Sequence, residues 1–271
     1  MTSPGKSLRM NRIFDTDDGH AVVVAADPGM MSGPTSHVIS LRSIVRRVIE
    51  AGADAVLLGP GQAVRLAEHF AAPQAPALII RADWTNGPRL AILGEQRFQP
   101  TYDLKLEMAC GASDALRLGA SAVAAYYMAG YNDRFERDNI RSLASLAGEC
   151  RRVGLPCIIE PIAAGAAAVS GAAAEALITA ARVAAELGAD ALKIPYTGDK
   201  ESFRTLVRVA SIPVLVLGGA KFEDEKDALS MAAEAMAAGA AGVVFGRNVT
   251  LSDDPARMVR KLIEIVHSES G

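Results

Sequence analysis

The sequence predicts an α/β chain that folds as a single (β/α)8 TIM barrel over residues 20–271, behind a short polar N-terminal extension at residues 1–19. Three observations predict it. Short apolar runs alternate with longer stretches of helical period, and eight such runs can be counted. The runs are apolar at consecutive positions, as in parallel strands covered on both faces. A chain of 271 residues with 50% hydrophobic content suits one barrel of this kind. The competing doubly wound sheet usually carries a glycine-rich dinucleotide turn after its first strand, and AADPGMMSGP is not that turn.

The runs, in order, are AVVVAA, DAVLLG, ALIIRA, SAVAAYY, CIIEPI, DALKI, VLVLGG and GVVFG. Between the first two, Leu41, Ile44, Val45 and Val48 make one helical stripe that ends at Gly52, a residue able to take the left-handed conformation. A second clear stripe runs through Phe203, Leu206, Val207 and Ala210 after an Asp199 cap. Gly-Ala pairs at 52, 119, 188 and 239 precede the even strands, and Pro76, Pro156 and Pro213 precede the third, fifth and seventh. A core layered from alternate strands explains such a two-unit rhythm, and duplication of a βαβα unit explains it equally. The Ala/Gly-biased stretch from Ile162 to Glu175 reads as a loop followed by a helix.

Charge and composition narrow the function. A net charge of -3 with interspersed signs argues against nucleic acid as a partner. MTSPGKSLRMNRIF lacks the apolar segment of a secretory signal, and no run is long enough to span a bilayer, so a cytoplasmic protein is expected. Cys110, Cys150 and Cys157 have no metal-ligand spacing and read as buried structural thiols. His20 and His37 likewise suggest neither a metal site nor a triad, and Trp84 and Asn86 read as residues of the third loop.

Barrel chemistry sits where the strands end. Those positions hold Asp27, Arg81 with Asp83, Tyr126 and Tyr127, Glu160, Lys193, and the Gly218-Gly219 and Gly246-Arg247 turns. Lys193 is the sharpest signal. An ammonium inside DALKI gives up hydration, which favours the neutral amine, the form that attacks a carbonyl to give an iminium. A lysine that snorkels outward or pairs with Asp27 or Glu160 fits the residues equally well. Asp27 is a candidate proton acceptor or a partner orienting the amine, with an Asx-type turn before Pro28-Gly29 as the alternative. Glu160 divides evenly between a functional and a structural role, and which of Tyr126 and Tyr127 faces the axis is open.

The seventh and eighth strands end where barrels commonly bind phosphate through backbone N–H groups. Gly218, Gly219 and Gly246 permit close approach, Arg247 offers a charge-assisted hydrogen bond, and Lys221 offers a further charge. Glycines that merely end strands explain either pair alone, and explain both at this location less well.

These residues resemble the archaeal-type class I fructose-bisphosphate aldolase family, and within it especially the bacterial autoinducer-2-phosphate thiolases. The matching segments are NRIF, GHAVVVAADPGMMSGPT, ADAVLLGPG, LGASAVAAYYMAGYND, GLPCIIEP, ALKIPYTGD and LGGAKFEDEKDALSMAAEAMAAGAAGVVFGRNV, the last two being the most specific. The resemblance implies Lys193 as the Schiff-base lysine and Asp27 as the aspartate of the family's Asp-His-Gly segment. It also implies Gly218, Gly219, Gly246 and Arg247 as phosphate-binding elements, and subunits assembled as a homo-oligomer.

Two departures stand out. Asp-His-Gly is here Asp27-Pro28-Gly29, and Met128 stands where the resemblance puts a tyrosine general acid. A thioether donates no proton, whereas Tyr126, two residues earlier on the same strand face, offers a substitute. The expectation is therefore a Schiff-base carbon–carbon lyase or thiolase-like transferase acting on a phosphorylated keto substrate. Lys193, Asp27 and Tyr126 are its catalytic residues, and no cofactor and no metal are expected. A non-covalent sugar-phosphate isomerase or epimerase, or a non-catalytic sugar-phosphate-binding barrel, is the alternative.

Overall fold

A computed structural model describes residues 3–33, 40–87, 103–165 and 173–268. His37 lies outside these residues, as does part of the Ala-rich stretch at 166–172.

Each apolar run forms a strand. They are β1 (Ala21–Ala25), β2 (Ala55–Leu58), β3 (Ala77–Arg81), β6 (Ala122–Ala129), β7 (Cys157–Ala163), β8 (Ala191–Pro195), β9 (Val214–Leu217) and β10 (Gly242–Phe245). All pair in parallel, and β1 closes on β10 with Ala21 opposite Gly242, so the sheet is a closed eight-stranded barrel. Gly242 is required at that seam. Its φ is +130°, and a Cβ there would overlap the carbonyl oxygen of Ala21.

The strands are apolar on both faces because each face packs a different core. Val22, Val24, Val56, Leu58, Leu78, Ile80, Val123, Leu192 and Val216 face the helices. Val23, Leu57, Ile79, Ala124, Ile158, Leu215 and Val244 fill the interior. The two expected helical stripes form helices at Leu41–Glu50 and Lys200–Ala210, and the Asp199 side chain accepts from the N–H groups of Glu201 and Ser202.

Two elements go beyond the eight-strand count. Within residues 1–19, α1 (Pro4–Ile13) forms behind a Ser3 cap, and Ile13 and Phe14 pack into the interior core at the N-terminal end of the barrel. Burying Ile13, which is 0% exposed, contributes about 2 kcal/mol. In the third loop, β4 (Asp83–Thr85) pairs antiparallel with β5 (Leu106–Met108). Asn86 ties this ribbon together by accepting from Lys105 N at 2.8 Å and donating to Asp103 O at 3.0 Å, so its role is structural. All three cysteines are free and buried.

Candidate active site

Strand parity decides which polar side chains enter the barrel. The interior core uses Ala21, Val23 and Ala25 of β1, Ala77 and Ile79 of β3, Ala122 and Ala124 of β6, Ile158 of β7 and Ala191 of β8. Two residues further along each chain stand Asp27, Arg81, Tyr126, Glu160 and Lys193. The interior thus changes from apolar to charged at the C-terminal end of the strands. Tyr127, of opposite parity, packs among the helix-facing residues and donates to Glu136 Oε1 at 2.5 Å, so Tyr126 is the tyrosine that faces inward.

Arg81 is the hub. It is fully buried, its Nε donates to Asp27 Oδ2 at 2.8 Å, and its Nη2 donates to Glu160 Oε2 at 2.6 Å. The Tyr126 ring lies 4.2 Å from the guanidinium carbon, at cation–π distance. Asp83 Oδ1 stands 3.6 Å from Arg81 Nη1, too far for a hydrogen bond, and among the described residues neither of these buried atoms has a hydrogen-bond partner. Lys193 Nζ lies 2.9 Å from Glu160 Oε2, and the residue is only 7% exposed. Of the arrangements that the sequence left open for Lys193, the structure has the ion pair, and its partner is Glu160.

The electrostatics follow from three buried carboxylates gathered around two cations. Burial alone would raise Asp27, but the charges of Arg81 and Lys193 and the Arg81 hydrogen bond hold its carboxyl below the ordinary value. Asp83 goes the other way. Burial, reinforced by the Glu160 and Asp27 charges, outweighs Arg81 and the Tyr126 N–H and pushes it up to about 6. Burial and the nearby carboxylates lift Tyr126 well above its ordinary value despite Arg81, so it stays a phenol that retains its proton. Its hydroxyl points at Met31 Sδ, 3.5 Å away. Met128 is buried with Leu104, Tyr131 and Ala164.

The glycine turns form a second cluster. Asn248, buried, donates to the carbonyls of Gly218 and Ala220 at 2.7 and 3.0 Å and accepts from Phe222 N at 2.9 Å. It thereby fastens the loop after β9 to the short helix Arg247–Thr250 that follows Gly246. A Cβ on Gly218 would stand 3.0 Å from the Phe245 ring and 3.1 Å from Asn248 Nδ2, so a side chain there would push these neighbours aside by a few tenths of an ångström. Gly219, at φ +64°, is open to solvent on its Cβ side. Lys221 is exposed and donates to Leu251 O at 2.6 Å, at the far end of the short helix from Gly246.

The structure therefore brings Lys193, Asp27 and the partly buried Tyr126 into one layer, and Gly218, Gly219, Gly246 and Arg247 into adjacent turns. Lys221 is directed elsewhere. The sequence places Arg81 and Glu160 at strand ends but gives Arg81 no role and leaves Glu160 evenly divided between a functional and a structural one, although each is a charge inside an apolar parallel strand, the same signal that singles out Lys193. Asn248, which follows Gly246-Arg247, carries no signal of its own in the sequence.

Comparison with known proteins adds the family. A model of the DeoC/LacD family aldolases matches residues 21–252. The 2-amino-3,7-dideoxy-D-threo-hept-6-ulosonate synthase of Halobacterium salinarum is 34% identical, covering 100% of this chain and 94% of its own. The class 1 fructose-bisphosphate aldolase of Thermoproteus tenax is 33% identical over 92% of this chain and 90% of its own. An archaeal fructose-1,6-bisphosphate aldolase, solved with its catalytic lysine covalently bound to the carbinolamine intermediate, superposes with a TM-score of 0.80. It is 30% identical, covering 97% of this chain and 100% of that one. The chain belongs to the DeoC/LacD family of aldolases and is a class I aldolase.

Proposed function

We propose that the chain cleaves or transfers a carbon–carbon bond of a phosphorylated keto substrate through a Schiff base on Lys193. The observation that carries this reading is the position of Lys193, a buried amine on the inner face of β8 within the charged layer at the C-terminal end of the barrel. The amine adds to the ketone, water leaves, and the resulting iminium withdraws electrons from the adjacent bond. That bond breaks as the neighbouring hydroxyl loses its proton, leaving an enamine that is protonated and hydrolysed. Asp27, held ionised by Arg81, balances the iminium charge. Tyr126 serves as a proton-bearing hydrogen-bond donor to the substrate oxygens.

In the same proposal Gly218, Gly219 and Gly246 present backbone N–H groups to the phosphate, with Arg247 as its charged partner and Lys221 as a more distant charge. The relatives support a phosphorylated substrate, since fructose bisphosphate is in the name of the Thermoproteus tenax aldolase. Among the described residues no helix is long and apolar enough to cross a membrane. A cytoplasmic homo-oligomer, with residues 1–19 appended to a barrel of residues 20–271, completes the proposal, and light scattering of the purified protein tests the assembly.

The test is turnover on a panel of phosphorylated ketoses, fructose 1,6-bisphosphate first, with products followed by NMR. Aldehyde and ketone fragments that disappear in Lys193→Ala support the proposal. A ketose returned only as its isomer or epimer, with Lys193→Ala still active, refutes it.

A further inference from the structure

Resting on the Schiff-base reading of Lys193, we propose that Glu160 is the acid–base partner of that amine and that Arg81 is the positioning residue which fixes Glu160 beside it. Glu160 Oε2 is 2.9 Å from Lys193 Nζ, within direct proton-transfer reach. Among the described residues Glu160 is the one carboxylate in an ion pair with Lys193. The same oxygen receives Arg81 Nη2 at 2.6 Å, while Arg81 Nε holds Asp27 at 2.8 Å. One planar guanidinium therefore sets two carboxylates in fixed relation. Arg81 is itself 0% exposed and carries the Tyr126 ring at 4.2 Å, so it has no room to swing.

The pair as it stands is an ammonium and a carboxylate, and an ammonium is no nucleophile. Transfer of one proton to Glu160 gives a neutral amine and a carboxylic acid, replacing two desolvated charges by two neutral groups. The nitrogen lone pair then bonds to the ketone carbon as the carbonyl π pair moves to oxygen. One proton passes from nitrogen to that oxygen, which gives the neutral carbinolamine. Glu160 next protonates the carbinolamine hydroxyl, the C–O bond breaks, water departs, and the nitrogen pair closes the iminium. The net change is ammonium plus ketone to iminium plus water, and Glu160 returns to the carboxylate facing the new cation.

Acetylacetone, a small diketone that condenses with amines to a stable enaminone, reports on Lys193 without the natural substrate. The full chain is treated across pH 5–9, and labelling at Lys193 is followed by peptide mass mapping, with thermal melts as a check on folding. In Glu160→Gln the labelling rate at neutral pH should fall about 100-fold or more, as expected for loss of a general acid–base. The residual rate should climb with pH as solvent removes the proton instead. Glu160→Asp should recover part of the rate, and Arg81→Lys should slow labelling at an unchanged half-saturating diketone concentration. Wild-type rate and pH profile in a folded Glu160→Gln, or in Glu160→Met if the glutamine variant does not fold, overturns the role of Glu160 alone. A wild-type protein that takes up no label at Lys193 overturns the Schiff-base reading, and this proposal with it.

Discussion

The β7–β8 strand pair carries two buried lysine–carboxylate pairs, one at each end, and they contrast the two faces of the barrel. At the N-terminal end, Lys6 of α1 donates to both oxygens of Asp190, each at 2.9 Å, and Cys157 N donates to Asp190 Oδ2 at 2.9 Å. Three residues along the same chain, Lys193 meets Glu160 at 2.9 Å. The lysines are equally hidden, at 8% and 7% exposure. Their surroundings differ. Asp190 is saturated by one cation and a peptide N–H, an arrangement that fastens a helix to a sheet. Glu160 shares one oxygen between two cations, next to an Asp83 oxygen and an Arg81 nitrogen that make no hydrogen bond among the described residues. Burial of a lysine is thus no sign of reactivity; a crowded, incompletely satisfied set of charges at the catalytic end of a barrel is the sign.

Exchange of each lysine for methionine breaks this comparison most severely. Lys193→Met should lower turnover about 10⁴-fold or more, about 5 kcal/mol of transition-state stabilisation, as expected when a covalent nucleophile is removed. Lys6→Met should leave turnover within a few-fold of the parent and lower unfolding stability by about 3 kcal/mol, because Asp190 is left partly buried without its cation. Parallel activity and denaturation curves check both. Inactive, fully folded Lys6→Met would erase the distinction between the two ends.

Smaller effects sharpen it. At the mouth, Arg247→Ala should raise KM for a phosphorylated substrate about 10- to 100-fold, as for a lost hydrogen bond to a charged group, and leave KM for the unphosphorylated analogue unchanged. At the base, His267 lies between Asp54 at 3.0 Å and Asp18 at 2.7 Å. The hydrogen bond to Asp54, with that to Asp18 and both charges, raises it from 6.5 to about 9 against the effect of burial. The folded state therefore holds the proton more tightly than the unfolded chain. The stabilisation is complete below pH 6.5 and is lost as pH rises through about 9. Solvent screening at this partly exposed site limits it to about 1 kcal/mol. Melts of His267→Gln and the parent should differ at pH 6 and converge by about pH 10, with no comparable change in KM.

The eight strands were legible because each is buried on two faces and so reads as an uninterrupted apolar run. Lys193 was legible as a charge interrupting such a run. Arg81 and Glu160 interrupt theirs in the same way, but their meaning lies in contacts across 54 and 79 residues of chain, and spacing along one strand does not report those. Tyr126 and Tyr127 could not be told apart while the parity of β6 was unknown; the interior positions Ala122 and Ala124 decide it. The helix α1 escaped notice because it docks through two buried residues, Lys6 and Ile13, with no apolar stripe to announce it. Its cap, Ser3 ahead of Pro4, was readable and points to the correct start.

The claim that the two ends differ in chemistry, at equal burial, is tested most directly by borohydride reduction in the presence of dihydroxyacetone phosphate followed by peptide mapping of every lysine. A reduced adduct is expected on Lys193 and none on Lys6. An adduct on Lys6, or an unmodified Lys193 in protein that turns over substrate, would contradict it.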